Sequence, residues 1–342
     1  MSFRVPVVDI SPYVIGEGDR AAVAAAFDAA CREVGFVQVV EHGVPDDVVA
    51  GLTSAMDEFF ALDPATKKTY RTPPEINRGY SPPRSEALSL SLGVDAAGND
   101  FFEAFNVGAA RSTYGRDDLP ADHYAENLWP AEVPGFADRV WTYFTEARRV
   151  ARTLTRVAAD ALGLPAAFFD AYLDHSVDVL RMNHYALPPG TADVGDDLTG
   201  MGAHTDYGIL TVLWADPVPG LQVLGGDGAW HDVRPAEGAL LVNLGDLTGR
   251  WTNDRWLSTL HRVKPPVVDG TVQRRRSAAF FCDGDIDAVV QTLPQCVDAA
   301  HPDRYLPVTV GEHLTAKLAG SRAGVRNPST GRETERVLAS RE

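Results

Sequence analysis

Two side chains able to bind a metal stand one residue apart in GMGAHTDYGILTVLW, the stretch from Gly200 to Trp214. In extended backbone, residues i and i+2 share a face, so the imidazole of His204 and the carboxylate of Asp206 would project together at the head of an apolar run. The pair alone says little, because at random composition about one His-x-Asp match is expected by chance. A second match, His301 to Asp303, is stiffened by Pro302 and reads as a turn. What lifts the first is a distant third ligand. His261 heads another strand-like run, HRVKPP, and four strand-like segments lie between to carry the chain across a barrel and back. Two imidazoles and a carboxylate on one face suit non-haem Fe(II) and leave three coordination positions open. Zinc would accept the same ligands with water in a fourth position, but no HExxH glutamate accompanies these histidines, which disfavours a zinc hydrolase.

A second constellation follows in RRRSAAFF. Arg275 and Ser277 fall on one face of this strand and Arg276 on the other. A guanidinium fork with a hydroxyl beside it is an anchor for a carboxylate. In RMNHYALPP, Asn183 and Tyr185 share a face, and the phenol of Tyr185 can donate to the same anion. Phe105, Leu213 and Phe281 are candidate apolar walls, and Arg322 or Arg326 near the C-terminus could meet an acidic substrate, although a solvated charge run is the plainer reading.

Such residues need a scaffold. VPVVDI reads as a strand, Asp19 caps a helix over RAAVAAAFDAACREV, GFVQVVEHG is a second strand, and PDDVVAGLTSAMDEFFAL has helical spacing with acids in its first turn. Residues 71–98, rich in Pro, Ser and Gly, read as an irregular loop, and a long helix is expected over 136–162. From Asp178 to Cys282 the texture changes to short apolar or alternating runs, namely VDVLRMNHY, GILTVLW, LQVL, WHDVRP, ALLVNLG, HRVKPP and RRSAAFFC. Runs of this kind predict an antiparallel sandwich or barrel. The expectation is one compact unit over 1–342. Within it, 4–165 is mainly helical, 175–290 forms the β core, and 310–342 is a terminal helix, lid or tail.

Composition excludes several classes. The 342 residues carry a net charge of −16, which disfavours nucleic acid and anionic membranes as partners. The three cysteines, Cys31, Cys282 and Cys296, form no disulfide pattern, the N-terminus has no leader-like segment, and no apolar run approaches a membrane span. A cytoplasmic protein in a reducing setting is expected.

Taken in order, Asn183-x-Tyr185, His204-x-Asp206, His261 and Arg275-x-Ser277 resemble the isopenicillin N synthase-like family of non-haem iron oxygenases, most of which use 2-oxoglutarate. Weaker echoes, VPVVDIS, REVGFVQVVEHGVP and FFEAFNVG, extend the likeness over most of residues 4–315. Two positions depart from the pattern: Ala186 follows the tyrosine where many relatives have proline, and Arg276 fills a spacer that is often aromatic or aliphatic. The resemblance implies a double-stranded β-helix (jelly-roll) braced by helices, a mixed α and β fold. It implies Fe(II) on His204, Asp206 and His261. It also implies 2-oxoglutarate with its distal carboxylate on Arg275, Ser277 and Tyr185, near Asn183, and O2 as the oxidant. Succinate and CO2 would accompany hydroxylation, desaturation or ring closure at a C–H bond of a small metabolite, with natural-product biosynthesis as the setting the resemblance suggests. An oxidase of the same fold, with a substrate carboxylate on Arg275 and Ser277, stays open, as does a non-enzymatic metal- or ligand-binding barrel.

Overall fold

The computed structural model describes residues 3–86, 88–92, 100–186, 200–265, 267–268 and 271–323. The N-terminal part supplies β1 (Val7–Asp9), α1 (Ser11–Val14), α2 (Arg20–Glu33), β2 (Phe36–Val40), α3 (Asp46–Phe60), α4 (Pro64–Lys68), β3 (Gly79–Ser81), β4 (Glu103–Gly108), α5 (Arg111–Tyr114) and α6 (Phe136–Ala161). Next come β5 (Val179–Tyr185), β6 (Met201–His204), β7 (Leu210–Ala215), β8 (Leu221–Leu224), β9 (Trp230–Asp232), β10 (Leu240–Leu244), α7 (Asp246–Trp251), β11 (His261–Val263), β12 (Val267–Val268), β13 (Thr271–Val272) and β14 (Arg275–Cys282). β15 (Val289–Val290), β16 (Val308–Thr309) and α8 (Val310–Ala323) complete the described chain.

Two sheets form the core. The larger has eight strands in the order β1-β2-β10-β7-β14-β5-β4-β3, and the smaller has four in the order β6-β11-β8-β9. All pairings are antiparallel except β1 with β2. This is the jelly-roll, with each of the seven runs read from the sequence forming a strand. Strand alternation divides the large sheet into two surfaces. On β14, Ala278, Phe280 and Cys282 enter the main apolar core, while Arg275, Ser277, Ala279 and Phe281 face a cavity between the sheets. Strand β5 does the same, with Leu180 and Met182 in the core and Arg181, Asn183 and Tyr185 in the cavity.

The long helix α6 covers the core surface. Val140, Phe144, Ala147, Val150, Ala151, Leu154, Val157 and Ala158 repeat at three- and four-residue intervals and are buried. Phe144 meets Phe280 of β14 edge-on at 5.1 Å. Leu162 caps the helix, and Gly163, at φ +67°, ends it one residue earlier than the sequence suggests. Asp19 caps α2 as expected, accepting from the Ala22 N–H. The segment read as a wholly irregular loop contains β3 and a 3-10 turn at Leu88–Leu92. The C-terminal stretch folds back as α8 onto that turn, so closely that a Cβ on Gly320 would stand 2.6 Å from the Ser91 Cα. No described helix is long and apolar enough to cross a membrane.

Asp246, at the start of α7, ties α8 to the barrel. Its carboxylate takes Lys317 Nζ of α8 at 2.7 Å, Ser258 Oγ at 2.6 Å and Thr205 Oγ1 at 3.2 Å. Burial alone would raise this carboxyl, but Lys317 and His313 hold it well below the usual carboxylate range. Its folded pKa therefore lies below its unfolded value of about 4. The stability it contributes is complete above that pH and is lost as pH falls through the folded value. Lys317→Met should flatten this acid limb in urea midpoints measured against pH.

Phe105 is fully buried in the core, against Phe59 at 4.6 Å and Phe136 at 5.4 Å, rather than on a cavity wall. The reason is parity, since its neighbour Asn106 is the residue of β4 that faces the cavity. Phe105→Ala should cost about 3–5 kcal/mol of stability, read from denaturant unfolding, through the void it leaves.

Candidate active site

The cavity between the sheets encloses about 1020 Å³, its open mouth included. Its inner wall carries His204 and His261. Strands β6 and β11 pair so that these two residues stand directly opposite each other, with ring centroids 4.3 Å apart. Asp206 comes from the turn just beyond β6. Its Oδ1 lies 3.8 Å from His204 Nε2 and 3.7 Å from His261 Nε2, and all three residues are buried. One ligand atom from each falls within 4.8 Å of the others.

The surroundings leave these atoms ready for a metal. His204 Nδ1 lies 2.7 Å from the Gly202 carbonyl and His261 Nδ1 lies 3.0 Å from the Thr259 carbonyl. A carbonyl only accepts, so each Nδ1 carries a proton and each Nε2 is the nitrogen turned toward Asp206. Burial first, then His261, pulls the His204 pKa down to about 3, which keeps the ring neutral. Asp206 Oδ2 is occupied: Asn243 Nδ2 donates to it at 2.6 Å and Thr211 Oγ1 at 2.5 Å. Its Oδ1 remains turned to the two histidines. The donor set and its supporting hydrogen bonds fit a divalent ion.

The glycines around this motif are needed for room rather than for a turn, since neither Gly202 nor Gly208 has a positive φ. A Cβ on Gly202 would stand 2.5 Å from Ser89 Oγ, and one on Gly208 would stand 2.0 Å from Asp283 Oδ1.

Arg275, Ser277, Tyr185 and Asn183 lie on adjacent strands of the opposite sheet. In the β14–β5 register, Arg275 faces Tyr185 and Ser277 faces Asn183. Arg275 is 2% exposed, and among the described residues its Nε and Nη1 have no hydrogen-bond partner. Its guanidinium lies over the Tyr185 ring at 5.3 Å. Burial pushes the Tyr185 phenol up to about 12, so it stays a donor. Asn183 Nδ2 reaches Ser277 Oγ at 3.4 Å. A buried cation with free donors is costly unless an anion completes it, so this corner fits a carboxylate. Arg276, on the opposite face, is held by Asp216 and Asp57.

Leu213 and Phe281 line the cavity. Arg322 of α8 also lines it, donating to the Ile76 carbonyl and to Asn77 Oδ1, each at 2.9 Å, so it is not part of a solvated run. Arg326 lies outside the described residues. His301 is exposed and turned to Asp298, consistent with a turn. Sequence reasoning missed Asn243 and Thr211, and also the buried Arg181–Glu86 pair at 2.8 Å. A signal existed for two of these, a lone Asn within LLVNL and an Arg two residues before Asn183.

Comparison with known proteins agrees with this geometry. The 2OG-Fe(II) oxygenase superfamily model matches residues 176–284, and the model described as non-haem dioxygenase in morphine synthesis N-terminal matches residues 5–132. The 2-oxoglutarate-Fe(II) type oxidoreductase hxnY of Emericella nidulans is 33% identical over 312 residues, 89% of this chain and 86% of its own length. The chain belongs to the isopenicillin N synthase-like family of 2-oxoglutarate-dependent Fe(II) oxygenases. Validamycin A dioxygenase of Streptomyces hygroscopicus subsp. limoneus is 32% identical to this oxygenase over 325 residues, covering 93% of this chain and 86% of its own. A full-length Neurospora crassa protein, solved in complex with alpha-KG and thymine, superposes with a TM-score of 0.79 at 28% identity, covering 92% of this chain and 96% of its own. The oxygenase accordingly uses Fe(II), 2-oxoglutarate and O2.

Asn243 and Thr211 hold Asp206 Oδ2 by hydrogen bonds, which would fix its Oδ1 toward a bound ion. Asn243→Ala should weaken Fe(II) binding by about 10- to 100-fold, measured by anaerobic titration, with the fold retained by circular dichroism.

Proposed function

We propose that His204, Asp206 and His261 are the Fe(II) ligands of this oxygenase, and that Arg275, Ser277 and Tyr185 bind the distal carboxylate of 2-oxoglutarate. Asn183 supports the pair through Ser277. The observation that carries this reading is the buried Arg275, with two unpartnered nitrogens on the same cavity as the three ligands. With 2-oxoglutarate, Fe(II) supplies oxygen activation, giving succinate and CO2 alongside oxidation of a substrate C–H bond. The chain's own residues set position and exclude water. The two histidines present Nε2, Asn243 and Thr211 hold one Asp206 oxygen away, Arg275 orients the cosubstrate, and Leu213 and Phe281 give an apolar wall beside the reacting bond.

The proposed substrate is a small organic metabolite, hydroxylated, desaturated or cyclised, in natural-product metabolism. The chain is proposed to act as one unit, because the catalytic cavity draws on β4 and α8 as well as the β core. Three buried free cysteines favour a cytoplasmic setting.

Anaerobic addition of Fe(II) and then 2-oxoglutarate should produce a visible charge-transfer band, and Asp206→Ala should abolish it. If iron binding and turnover both survive Asp206→Ala, the ligand assignment is wrong. Arg275→Met should raise the KM for 2-oxoglutarate by about 100-fold or more while Fe(II) still binds. Succinate release coupled to product separates this reading from an oxidase that needs no 2-oxoglutarate.

A further inference from the structure

A second cavity adjoins the first, and Asn77, Val179, Asp283, Leu314 and Leu318 line both. Asp283 continues the alternation of Arg275, Ser277, Ala279 and Phe281. Its side chain therefore turns to the cavity side of the sheet. It is 8% exposed. Among the described residues no hydrogen bond or ion pair reaches its carboxyl, and the charges acting on it, those of Asp178 and Asp206, are both negative. Burial, then these two acids, pushes its pKa well above the usual carboxylate range. Its Oδ1 packs against Gly208, where a side chain would not fit.

The other charges of the cavity are accounted for. Arg181 pairs with Glu86, Asp206 faces the histidines, Arg275 faces the cosubstrate corner, and Arg322 donates to Ile76 and Asn77. The adjoining cavity carries the exposed acids Glu75 and Asp122, and its Arg78 is occupied by the carbonyls of Asn77, Ala109, His123 and Ala125. In a chain of net charge −16, an approach bearing two acids concentrates cations. A buried carboxylate becomes favourable when a cation with hydrogen-bond donors meets it.

We propose that Asp283 is a substrate-binding residue and that the substrate carries a protonated nitrogen, an ammonium or a guanidinium, which Asp283 holds where the acidic cavity adjoins the one that carries the metal face. The inference rests on the iron and 2-oxoglutarate reading above. The ion pair fixes the cationic end of the substrate and leaves its carbon skeleton directed inward, past Phe281.

The test uses the full chain with Fe(II) and 2-oxoglutarate, titrated anaerobically with matched probes: benzylamine against benzyl alcohol, and cyclohexylamine against cyclohexanol. The readouts are the perturbation of the charge-transfer band and, in air, stimulated succinate release. Amines should act at concentrations at least about 10-fold lower than the alcohols, the scale of one charge-assisted hydrogen bond. Asp283→Asn and Asp283→Ser should each remove that preference while the band itself still forms, which shows that the variants are folded and loaded. Equal responses to amines and alcohols, no response to either amine, or a preference that survives both substitutions would overturn the proposal. Failure of the band to form in the unaltered chain would instead sink the iron and 2-oxoglutarate reading, and this inference with it.

Discussion

The pairing of β6 with β11 sets His261 directly opposite His204, and the rest of the site is built on that register. A slip of one residue would turn a histidine to the other face of its sheet and dissolve the metal face. Asp206 adds a constraint of a different kind. It leaves the small sheet beyond β6, yet its second oxygen is held by Asn243 of β10 and Thr211 of β7 in the large sheet. The metal face therefore depends on the spacing between the two sheets as well as on the pairing within one.

That spacing is set by what packs outside. One surface of the large sheet is sealed by α6 and the N-terminal helices, which leaves the opposite surface free for polar side chains around a cavity. Asp246 then links the parts that could drift. It meets Thr205 from the metal turn, Ser258 just before His261, and Lys317 from α8. A buried carboxylate with so many donors resists the loss of any one of them, since each loss leaves charge unpaired in a poorly screened interior. The helix covering the cavity and the strands carrying the ligands are thereby joined at a single carboxylate.

Inside the cavity, the ionic groups separate into those the fold satisfies and those it leaves open. Arg181 and Glu86 pair with each other through Glu86 Oε2. Among the described residues Arg275 and Asp283 have no such ionic partner, and they differ in sign and in place: Arg275 begins β14 and Asp283 follows its last residue. A buried charge left unpaired by its own chain is costly, so each is a place where a ligand of opposite charge would relieve that cost. One strand thus carries a cationic and an anionic station, with small and aromatic side chains between them.

Much of this was legible in the sequence because it is local. Alternation over Val179–Tyr185 and Arg275–Cys282 is a property of neighbouring residues, as are the helical spacing of α6 and the shared face of Arg275 with Ser277. Together with the long-range order of His204, Asp206 and His261, these features determined the fold class and the chemistry. Other features were decided only by tertiary structure. Which face of β4 met the cavity depended on the neighbouring strand, so Phe105 went to the core and Asn106 to the cavity. The need for glycine at 202 and 208 came from side chains distant in sequence, Ser89 and Asp283. The hold of Asn243 and Thr211 on Asp206, and the isolation of Asp283, likewise arise only when two sheets close on one another. Local sequence sets the periodicity of a strand, but the parity of its faces and the partners of its charges are fixed by contacts between residues far apart in the chain.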